Sequence, residues 1–220
     1  MAGFFSRLFL FPIIRLFIGK IEGVKNLPRK GPFIIASNHS SFIDDIFIYY
    51  APYYFLRRKL FVFVNSRFYK SRLLTFFLNQ HNCIPVDVKK DVIDDKKRKV
   101  TNDIAIDKAL ECLKRGNIFG VFPEGGRSKD GKLKKAKNGI AKITLLSKVL
   151  VIPIGFKGSY DIMQKGSKFP KIGKKADIII GKPMTFEDYY GKENELSALE
   201  EISRKIMKEI AKLINEEYDY

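Results

Sequence analysis

The chain has 220 residues and a formal net charge of +17, from 41 basic and 24 acidic side chains. This length suits one well-packed α/β domain. Two cysteines, Cys83 and Cys112, cannot build a disulfide framework, so we expect buried thiols in a reducing compartment. No Cys/His cluster has metal-ligand spacing, and we expect neither a bound metal nor a cofactor. The charge calls for an anionic partner, either nucleic acid or a membrane, and 19 phenylalanines favour the membrane.

The amino terminus is strongly apolar. Residues 4–18 read FFSRLFLFPIIRLFI, and a helix of this length rises about 22 Å, short of the roughly 20 residues needed to span a bilayer. Arg7 and Arg15 interrupt the run, and no signal-peptide cleavage site follows it. We predict a membrane-interfacial helix, kinked at Pro12, with residues 1–19 as an anchor and 20–220 as one folded domain. The alternative is a core helix of the domain.

A strand-to-helix turn then holds one of the two histidines. Residues 33–36 predict a strand, and a helical apolar pattern begins a few residues later. One helical turn returns Asp44 toward His39, where its carboxylate would hold one ring nitrogen and leave the other to accept a proton from a hydroxyl. Ser40 and Ser41 are expected to cap the helix, although either could be argued as a nucleophile. Spacing alone also fits a helix cap or a satisfied core histidine.

The middle of the chain alternates between strand-like and helix-like patterns. His81 has no acidic residue at suggestive spacing, and we expect it to be structural or at the surface. Gly116 is placed to end the helix predicted over 100–113. The predicted elements are an aromatic and basic segment over 49–58, a buried strand over 60–64, a helix over 68–78 with a broad apolar face, a charged and solvated run over 91–99, and a helix over 100–113.

Residues 117–122 predict a strand that ends in a glycine-rich turn, FPEGGRS over 122–128. The turn presents the carboxylate of Glu124 and the guanidinium of Arg127. Residues 129–148 then contain seven lysines and one aspartate. This stretch is either a solvated loop or a rim that attracts anionic headgroups and phosphates.

Two further strands, over 149–156 and 176–180, precede an amphipathic carboxyl-terminal helix over 196–213. Strands that alternate with helices predict a single α/β domain with a largely parallel central sheet flanked by helices. In such a sheet the site lies at the ends of the strands.

Together, NHSSFID and FPEGGRS resemble the motifs of the glycerophospholipid acyltransferase family, of which 1-acyl-glycerol-3-phosphate acyltransferase is the type member. The family's first motif, Asn-His, four residues and Asp, is matched at Asn38, His39 and Asp44. Its third motif, Phe-Pro-Glu-Gly-Thr-Arg-Ser, is matched over 122–128 except that Gly126 replaces the threonine. The similarity covers most of the chain and includes a Val-Ile-Pro-Ile run over 151–154.

The resemblance implies roles for these residues. His39 would be the general base and Asp44 the residue that orients it. Arg127 would bind the phosphate of the acceptor, and Glu124 would organise the loop or hold a glycerol hydroxyl. The remaining expected substrate-binding residues are Gly125, Gly126, Ser128, Lys89, and Lys137, which matches a family lysine.

The second motif departs from the family pattern. NCIPVD over 82–87 lies where this motif belongs, but Val88 stands where the family has an arginine that helps to hold the acceptor phosphate. Lys89 and Lys90 follow and could supply the charge, without the bidentate geometry of arginine. Glycerol 3-phosphate, another lysophospholipid or a lyso-aminolipid therefore stay open as acceptors.

The resemblance implies transfer of a fatty acyl group from acyl-CoA or acyl carrier protein to the hydroxyl of 1-acyl-glycerol 3-phosphate, giving phosphatidate in phospholipid biosynthesis. We expect a peripheral or monotopic enzyme on the cytoplasmic face of a membrane, in contact with membrane lipids. The alternative from another class is a non-enzymatic basic protein that binds membranes or nucleic acid. No RNA-recognition, KH or zinc-finger pattern is present, so we expect no nucleic-acid partner.

Overall fold

The computed structural model of the protein describes residues 11–88 and 91–220. Its strands are β1 (Ile18–Glu22), β2 (Phe33–Ser37), β3 (Leu60–Asn65), β4 (Cys83–Val86), β5 (Ile118–Val121), β6 (Leu150–Lys157) and β7 (Ala176–Ile180). Its α-helices are α1 (Phe11–Arg15), α2 (Asp44–Ala51), α3 (Arg72–Gln80), α4 (Asp95–Lys114), α5 (Gly139–Ser147), α6 (Ser159–Ile162) and α7 (Leu196–Ile214). Shorter helical segments are Val24–Asn26, Pro52–Leu56, Ser66–Lys70 and Glu187–Tyr189.

The strands form one sheet in the order β1-β7-β6-β2-β5-β3-β4. From β6 to β4 all neighbours pair in parallel, whereas β7 is antiparallel to β6 and β1 is parallel to β7. Strands β2 to β6 therefore end at the same side of the sheet, which we call the carboxyl edge. This architecture confirms the predicted single α/β domain with a largely parallel sheet flanked by helices.

Strand β2 lies near the centre of the sheet, and all five of its residues are buried. Ile34 and Ala36 face the core beneath α4, α5 and α7. Phe33 and Ile35 face the opposite core, beneath α1, α2 and α6. A parallel strand covered on both faces needs an unbroken apolar run, and this is why FIIA reads as apolar without alternation.

Helix α4 differs from its prediction. It begins at Asp95, inside the run that was predicted to be solvated, because the Asp94 side chain accepts hydrogen bonds from the backbone N–H groups of Lys96 and Lys97. The helical spacing of Val100, Ile104, Ala109, Leu110 and Leu113 predicts an apolar face, but Val100 and Ile104 are exposed. The buried residues are Ala105, Ala109, Cys112 and Leu113, so the predicted face is confirmed at Ala109 and Leu113 and wrong only for the first turns of the helix. Gly116 follows the helix with a φ of 79°, as predicted.

Helix α3 begins at Arg72, later than predicted, after the short helical segment Ser66–Lys70. The Ser71 hydroxyl accepts the Leu74 N–H and starts the helix. The apolar side chains predicted for this helix are present but uncovered, because no residue of α3 is buried. Leu73, Phe76 and Phe77 are more than half exposed. The helix lies beside the edge strand β4, where the sheet offers little area to cover these side chains.

The predicted amino-terminal helix is described only from Phe11, because residues 4–10 lie outside the described residues. Helix α1 ends at Arg15, and Ile18 begins β1, so the helix is shorter than predicted at this end. Phe11 and Ile14 are buried against the domain, whereas Ile13 is exposed. The anchor, the kink at Pro12 and the division of the chain at residue 19 stay predictions. Within the described chain, no helix is long and apolar enough to cross a bilayer.

The cysteines are both free: Cys112 is buried and Cys83 is half-buried. Burial raises the pKa of Cys83 to about 11 and that of Cys112 to about 12. Both side chains are therefore neutral thiols near pH 7.

The carboxyl-terminal helix α7 packs on the sheet as predicted, with Ile206 completely buried. We expect Ile206→Ala to lower the free energy of unfolding by about 2–5 kcal/mol, because it removes buried methyl and methylene groups and leaves a cavity. Leu196→Ala, at an exposed position of the same helix, should change it by no more than about 0.5 kcal/mol. Urea unfolding of both variants provides the measurement. A loss for Ile206→Ala as small as that for Leu196→Ala would contradict the packing of α7 on the sheet.

Candidate active site

The turn after β2 is fixed to the end of β6 by Asn38, which is buried. The Asn38 side-chain amide donates to the Phe156 carbonyl at 3.2 Å, and the Phe156 N–H donates to the Asn38 Oδ1 at 2.8 Å. This pair of bonds satisfies both halves of the amide. The next residue, His39, is thereby held at the carboxyl edge.

The side chain of His39 meets Asp44 as predicted. Asp44 Oδ2 lies 3.3 Å from His39 Nδ1 and also accepts the N–H groups of Ser40 at 2.8 Å and Ser41 at 2.7 Å. Asp44 is fully buried, and His39 is 7% exposed. With a carboxylate at Nδ1, the neutral imidazole carries its proton there, and Nε2 is the nitrogen that can accept another.

The serines do not cap the helix as predicted. Helix α2 begins at Asp44 after Ile43, whose side chain makes no cap bond, and the Asp44 carboxylate accepts the N–H groups of Ser40 and Ser41. The Ser41 hydroxyl accepts the Ile43 N–H at 3.3 Å, just ahead of the helix. The Ser40 hydroxyl is 3.1 Å from the Ser159 hydroxyl, and the Ser41 hydroxyl donates to the Met163 carbonyl at 2.8 Å. Both hydroxyls thus join the turn to α6 and the residue after it, rather than to the imidazole.

The glycine-rich turn after β5 is hydrogen-bonded to both backbone groups of His39. Glu124 Oε1 accepts the His39 N–H at 2.7 Å, and Ser128 N–H donates to the His39 carbonyl at 2.8 Å. The second oxygen of Glu124 accepts the Lys134 N–H at 3.1 Å. Glu124 is 4% exposed. Both of its oxygens therefore organise loops, one on each side of the turn.

Burial raises the pKa of Glu124 from its ordinary value of 4.5 to about 7. The N–H groups of His39 and Lys134 and the positive charge of Lys134 act in the opposite direction, because they favour the carboxylate. The carboxyl group is consequently poised between its two protonation states near neutral pH.

The other side of the imidazole contacts an aromatic ring and a second acid. The His39 ring stacks on Phe122, with centroids 4.0 Å apart and planes 15° from parallel. Asp45 Oδ1 lies 3.7 Å from His39 Nε2, the nitrogen that can accept a proton. Burial of the carboxyl group raises the pKa of Asp45 above its ordinary value, and the neighbouring His39 opposes part of this rise. The side chain of Asp45 is 46% exposed. The sequence analysis missed Asp45, and its only signal was a second aspartate directly after Asp44.

Arg127, Gly125 and Lys137 lie together on the rim of the turn. The Arg127 guanidinium carbon is 5.2 Å from the centre of the Phe42 ring. Gly125 has a φ of 67°, and a Cβ placed there would lie 2.6 Å from Lys137 Cε, so the lysine stem crosses directly over the glycine. The Lys137 N–H donates to the Pro123 carbonyl at 2.8 Å. Lys137 is exposed, as a residue that meets a ligand would be.

A family model described as Acyltransferase matches residues 19–157, more than half of the chain. The chain belongs to the acyltransferase family. It is 27% identical to 1-acyl-sn-glycerol-3-phosphate acyltransferase of Bacillus subtilis (strain 168), over 87% of each protein. It is 28% identical to a chloroplastic 1-acyl-sn-glycerol-3-phosphate acyltransferase of Arabidopsis thaliana, over 84% of this chain and 48% of that protein.

A solved structure shares the fold. The crystal structure of the 1-acyl-sn-glycerophosphate (LPA) acyltransferase PlsC from Thermotoga maritima superposes with a TM-score of 0.67 at 22% identity, covering 93% of this chain and 76% of that chain. The likeness supports the α/β architecture with its mostly parallel sheet.

The second motif of this acyltransferase is not brought to the turn of His39. Val88 follows β4, and β4 is separated from β2 by β3 and β5. Asp87, beside it, is held by the side chains of Asn102 and Ser66. Lys89 and Lys90 lie outside the described residues. Phosphate binding by Lys89 therefore stays a prediction.

The side chains of His81 and Lys134 make hydrogen bonds to backbone carbonyls. The His81 Nδ1 lies 2.9 Å from the Phe77 carbonyl at the end of α3, in agreement with a structural role. Lys134, which the sequence analysis did not single out, donates from its ammonium to the carbonyls of Gly126 and Arg127. Among the described residues, no three His, Cys, Asp or Glu side chains are grouped so that they could hold a metal ion.

The raised pKa of Glu124 predicts a pH-dependent stability. Because the folded state holds the proton up to about pH 7 and the unfolded state loses it near pH 4.5, this group stabilises the fold at low pH, and that contribution is lost as pH rises toward 7. Glu124→Gln should abolish this decline, which amounts to about 2 kcal/mol between about pH 5 and about pH 7.5. Urea unfolding at both pH values measures it.

The matched control is Glu217→Gln, at an exposed carboxylate. It should keep the pH dependence of the unaltered chain. The interpretation of Glu124 would be wrong if its glutamine variant and the unaltered chain lost the same free energy across this range.

Proposed function

We propose that this acyltransferase moves a fatty acyl group from a thioester, acyl-CoA or acyl carrier protein, to the free hydroxyl of 1-acyl-glycerol 3-phosphate, giving phosphatidate for phospholipid biosynthesis. One observation carries the proposal: a buried Asp44–His39 pair is bonded through the His39 backbone to the turn that holds Arg127. The names of the relatives agree with it, since both are 1-acyl-sn-glycerol-3-phosphate acyltransferases.

The reaction needs a base for a hydroxyl and no serine nucleophile. His39 Nε2 accepts the hydroxyl proton as the oxygen attacks the thioester carbonyl. The carbon–sulfur bond then breaks, and the imidazolium returns the proton to the departing thiolate. Asp44, at Nδ1, holds the ring in place and stabilises its positive charge.

Asp45 lies beside the same path. Its carboxylate is at ion-pair distance from Nε2, where the acceptor hydroxyl must approach. In this position it faces the approaching acceptor and stabilises the imidazolium that forms when Nε2 takes the hydroxyl proton. Such a role explains why the side chain is partly exposed while that of Asp44 is buried.

Phosphate recognition rests on the rim of the glycine-rich turn. Arg127 directly precedes Ser128, whose N–H bonds the His39 carbonyl, so the guanidinium is placed one residue from a contact with the base. A guanidinium matches phosphate geometry, and Lys137 supplies a second cation across Gly125. Gly125 and Gly126 have no side chains, so the backbone of the turn can approach the phosphate closely. The Ser128 side chain is buried and bonds Asp130, so it supports the turn from below.

The second motif supplies no arginine for the phosphate, since Val88 stands at the position where the family has one. This departure favours tests of other acceptors: glycerol 3-phosphate, other lysophospholipids and lyso-aminolipids. We further propose that the enzyme works as a peripheral or monotopic protein on the cytoplasmic face of a membrane, where its lipid acceptor resides.

Replacement of the base tests the chemistry. We expect His39→Ala to reduce turnover by about 10² to 10⁴, because a general base typically contributes this factor. The His39 backbone, which carries the bonds to Glu124 and Ser128, is unchanged, so the fold should persist. His81→Ala is the matched control and should retain activity. Thiol release from acyl-CoA in the presence of lysophosphatidate measures both, and near-normal turnover by the His39 variant would contradict the mechanism.

Charge reversal tests the acceptor. Arg127→Glu should raise the KM for lysophosphatidate and lower kcat/KM by a factor of about 30 to 1,000, because repulsion replaces a charge-assisted pair. This factor corresponds to a loss of transition-state stabilisation of about 2–4 kcal/mol. Arg29→Glu, at an exposed position before β2 and so at the opposite edge of the sheet, is the control. Val88→Arg should be neutral or mildly improving.

The same variants are assayed with lysophosphatidate, glycerol 3-phosphate, lysophosphatidylethanolamine and lysophosphatidylglycerol, each with one acyl-CoA and one acyl carrier protein donor. Preference for lysophosphatidate supports the proposal. A zwitterionic acceptor whose use tolerates Arg127→Glu would overturn the assignment.

A further inference from the structure

The segment between α6 and β7, residues 163–175, combines bare apolar side chains with positive charge. We call it the 163–175 loop. Phe169 is 79% exposed and Ile172 is 94% exposed. The loop contains five lysines and no acidic residue, and every one of those lysines is exposed. Single exposed apolar side chains are common, but two large ones three residues apart and surrounded by lysines form an apolar patch with a charged rim, which is typical of an interaction surface.

The base of the 163–175 loop is bonded to the turn of His39. The Met163 carbonyl accepts the Ser41 hydroxyl at 2.8 Å and the Phe42 N–H at 3.4 Å. The other arm returns to the same place, because the Lys171 N–H donates to the Ile162 carbonyl at 2.8 Å. Phe169 therefore lies within a loop that is closed at Ile162 and Lys171, Ile172 directly follows the closing residue, and Met163 joins the base of this loop to the turn of His39.

The loop extends from the carboxyl edge. Strand β6 ends at Lys157 beside Asp177 of β7, so the chain leaves and re-enters the sheet at this edge. The charge of the loop also reaches the site. Burial lowers the pKa of Lys134, Glu124 opposes the change, and the charges of Lys165 and Lys137 lower it further. The apolar ring of Phe42, 42% exposed, lies at the same turn.

Exposed apolar tips surrounded by cations fit an anionic bilayer better than other partners. The lysines attract acidic headgroups, and the apolar side chains enter the acyl boundary. Nucleic acid would use the lysines alone and would leave an almost completely exposed isoleucine unexplained. We propose that the 163–175 loop docks on an anionic membrane by inserting Phe169 and Ile172, and so brings the His39 turn to the lipid surface.

This inference deepens the proposed function, because it names the surface that meets the lipid acceptor, but its binding test needs no turnover. The chain contains no tryptophan, so Phe169→Trp in the full chain creates a single fluorescent reporter. The matched control is Leu196→Trp, at an exposed position at the start of α7, which follows β7 after that strand has run away from the carboxyl edge.

The vesicles are phosphatidylcholine with or without phosphatidylglycerol, and a parallel set carries brominated acyl chains. We expect the Phe169→Trp emission to shift to the blue and to be quenched by brominated lipid on the anionic vesicles, and the control to show neither change. Unchanged emission on vesicles would overturn the proposal. So would a shift that depends on protein concentration without vesicles, which indicates a second copy, or a shift only with an added oligonucleotide.

A loss-of-function pair completes the test. Phe169→Ser combined with Ile172→Ser should weaken vesicle binding about tenfold or more and lower activity on vesicle-embedded acceptor, while activity on a dispersed short-chain acceptor stays unchanged. Lys168→Gln combined with Lys171→Gln should weaken binding only to the anionic vesicles, by about fivefold per lysine.

Binding of the double serine variant equal to that of the unaltered chain would refute the proposal. If the reporter is quenched by lipid but no acceptor is acylated, the membrane surface stands and the proposed function fails.

Discussion

The hydrogen bond from the His39 N–H to Glu124 is the interaction on which the site depends. It joins two turns that are 85 residues apart in sequence and follow neighbouring strands, β2 and β5. A carboxylate that accepts a backbone N–H forms a stronger bond than a neutral acceptor, and burial removes the water that would compete for it. Ser128 returns a bond to the His39 carbonyl. With both backbone groups of His39 engaged, the turn that carries the imidazole and the turn that carries Arg127 are held together.

This arrangement has an electrostatic cost that the rest of the fold must offset. Asp44 and Glu124 are both buried, and buried carboxylates are costly unless amides or cations satisfy them. Two turn amides meet Asp44, whereas Glu124 has the amides of His39 and Lys134 and a pKa near 7. The apolar cores on both faces of β2 stabilise the fold by burial, and this stabilisation offsets the cost of burying the two carboxyl groups. The chemistry therefore sits at the end of the most completely buried strand.

The carboxyl edge unites the polar chemistry with the apolar surface. Parallel strands direct their ends, and the loops that follow, to one side, so the base, the rim of Arg127 and the 163–175 loop all emerge there. Charge follows the same direction, since five lysines lie in the segment between β5 and α5 and five more in the 163–175 loop after β6 and α6. A lipid substrate carries a negative headgroup and an apolar chain, and both requirements are met at one edge.

Sequence alone determined the chemistry that depends on local spacing: Asp44 returns to His39 because a helical turn is fixed geometry, and β2 reads as buried because both of its faces must be apolar. Periodicity also placed α7 on the sheet. What tertiary structure decided were the contacts between distant turns: Glu124 with His39, Asp45 beside Nε2, and Met163 with Ser41. It also decided which apolar residues stay outside, since a periodic pattern such as that of α3 shows that a helix has an apolar face but not whether any surface is available to cover it. The sheet has two faces, other helices already cover them, and the remaining apolar side chains are therefore left at the edges.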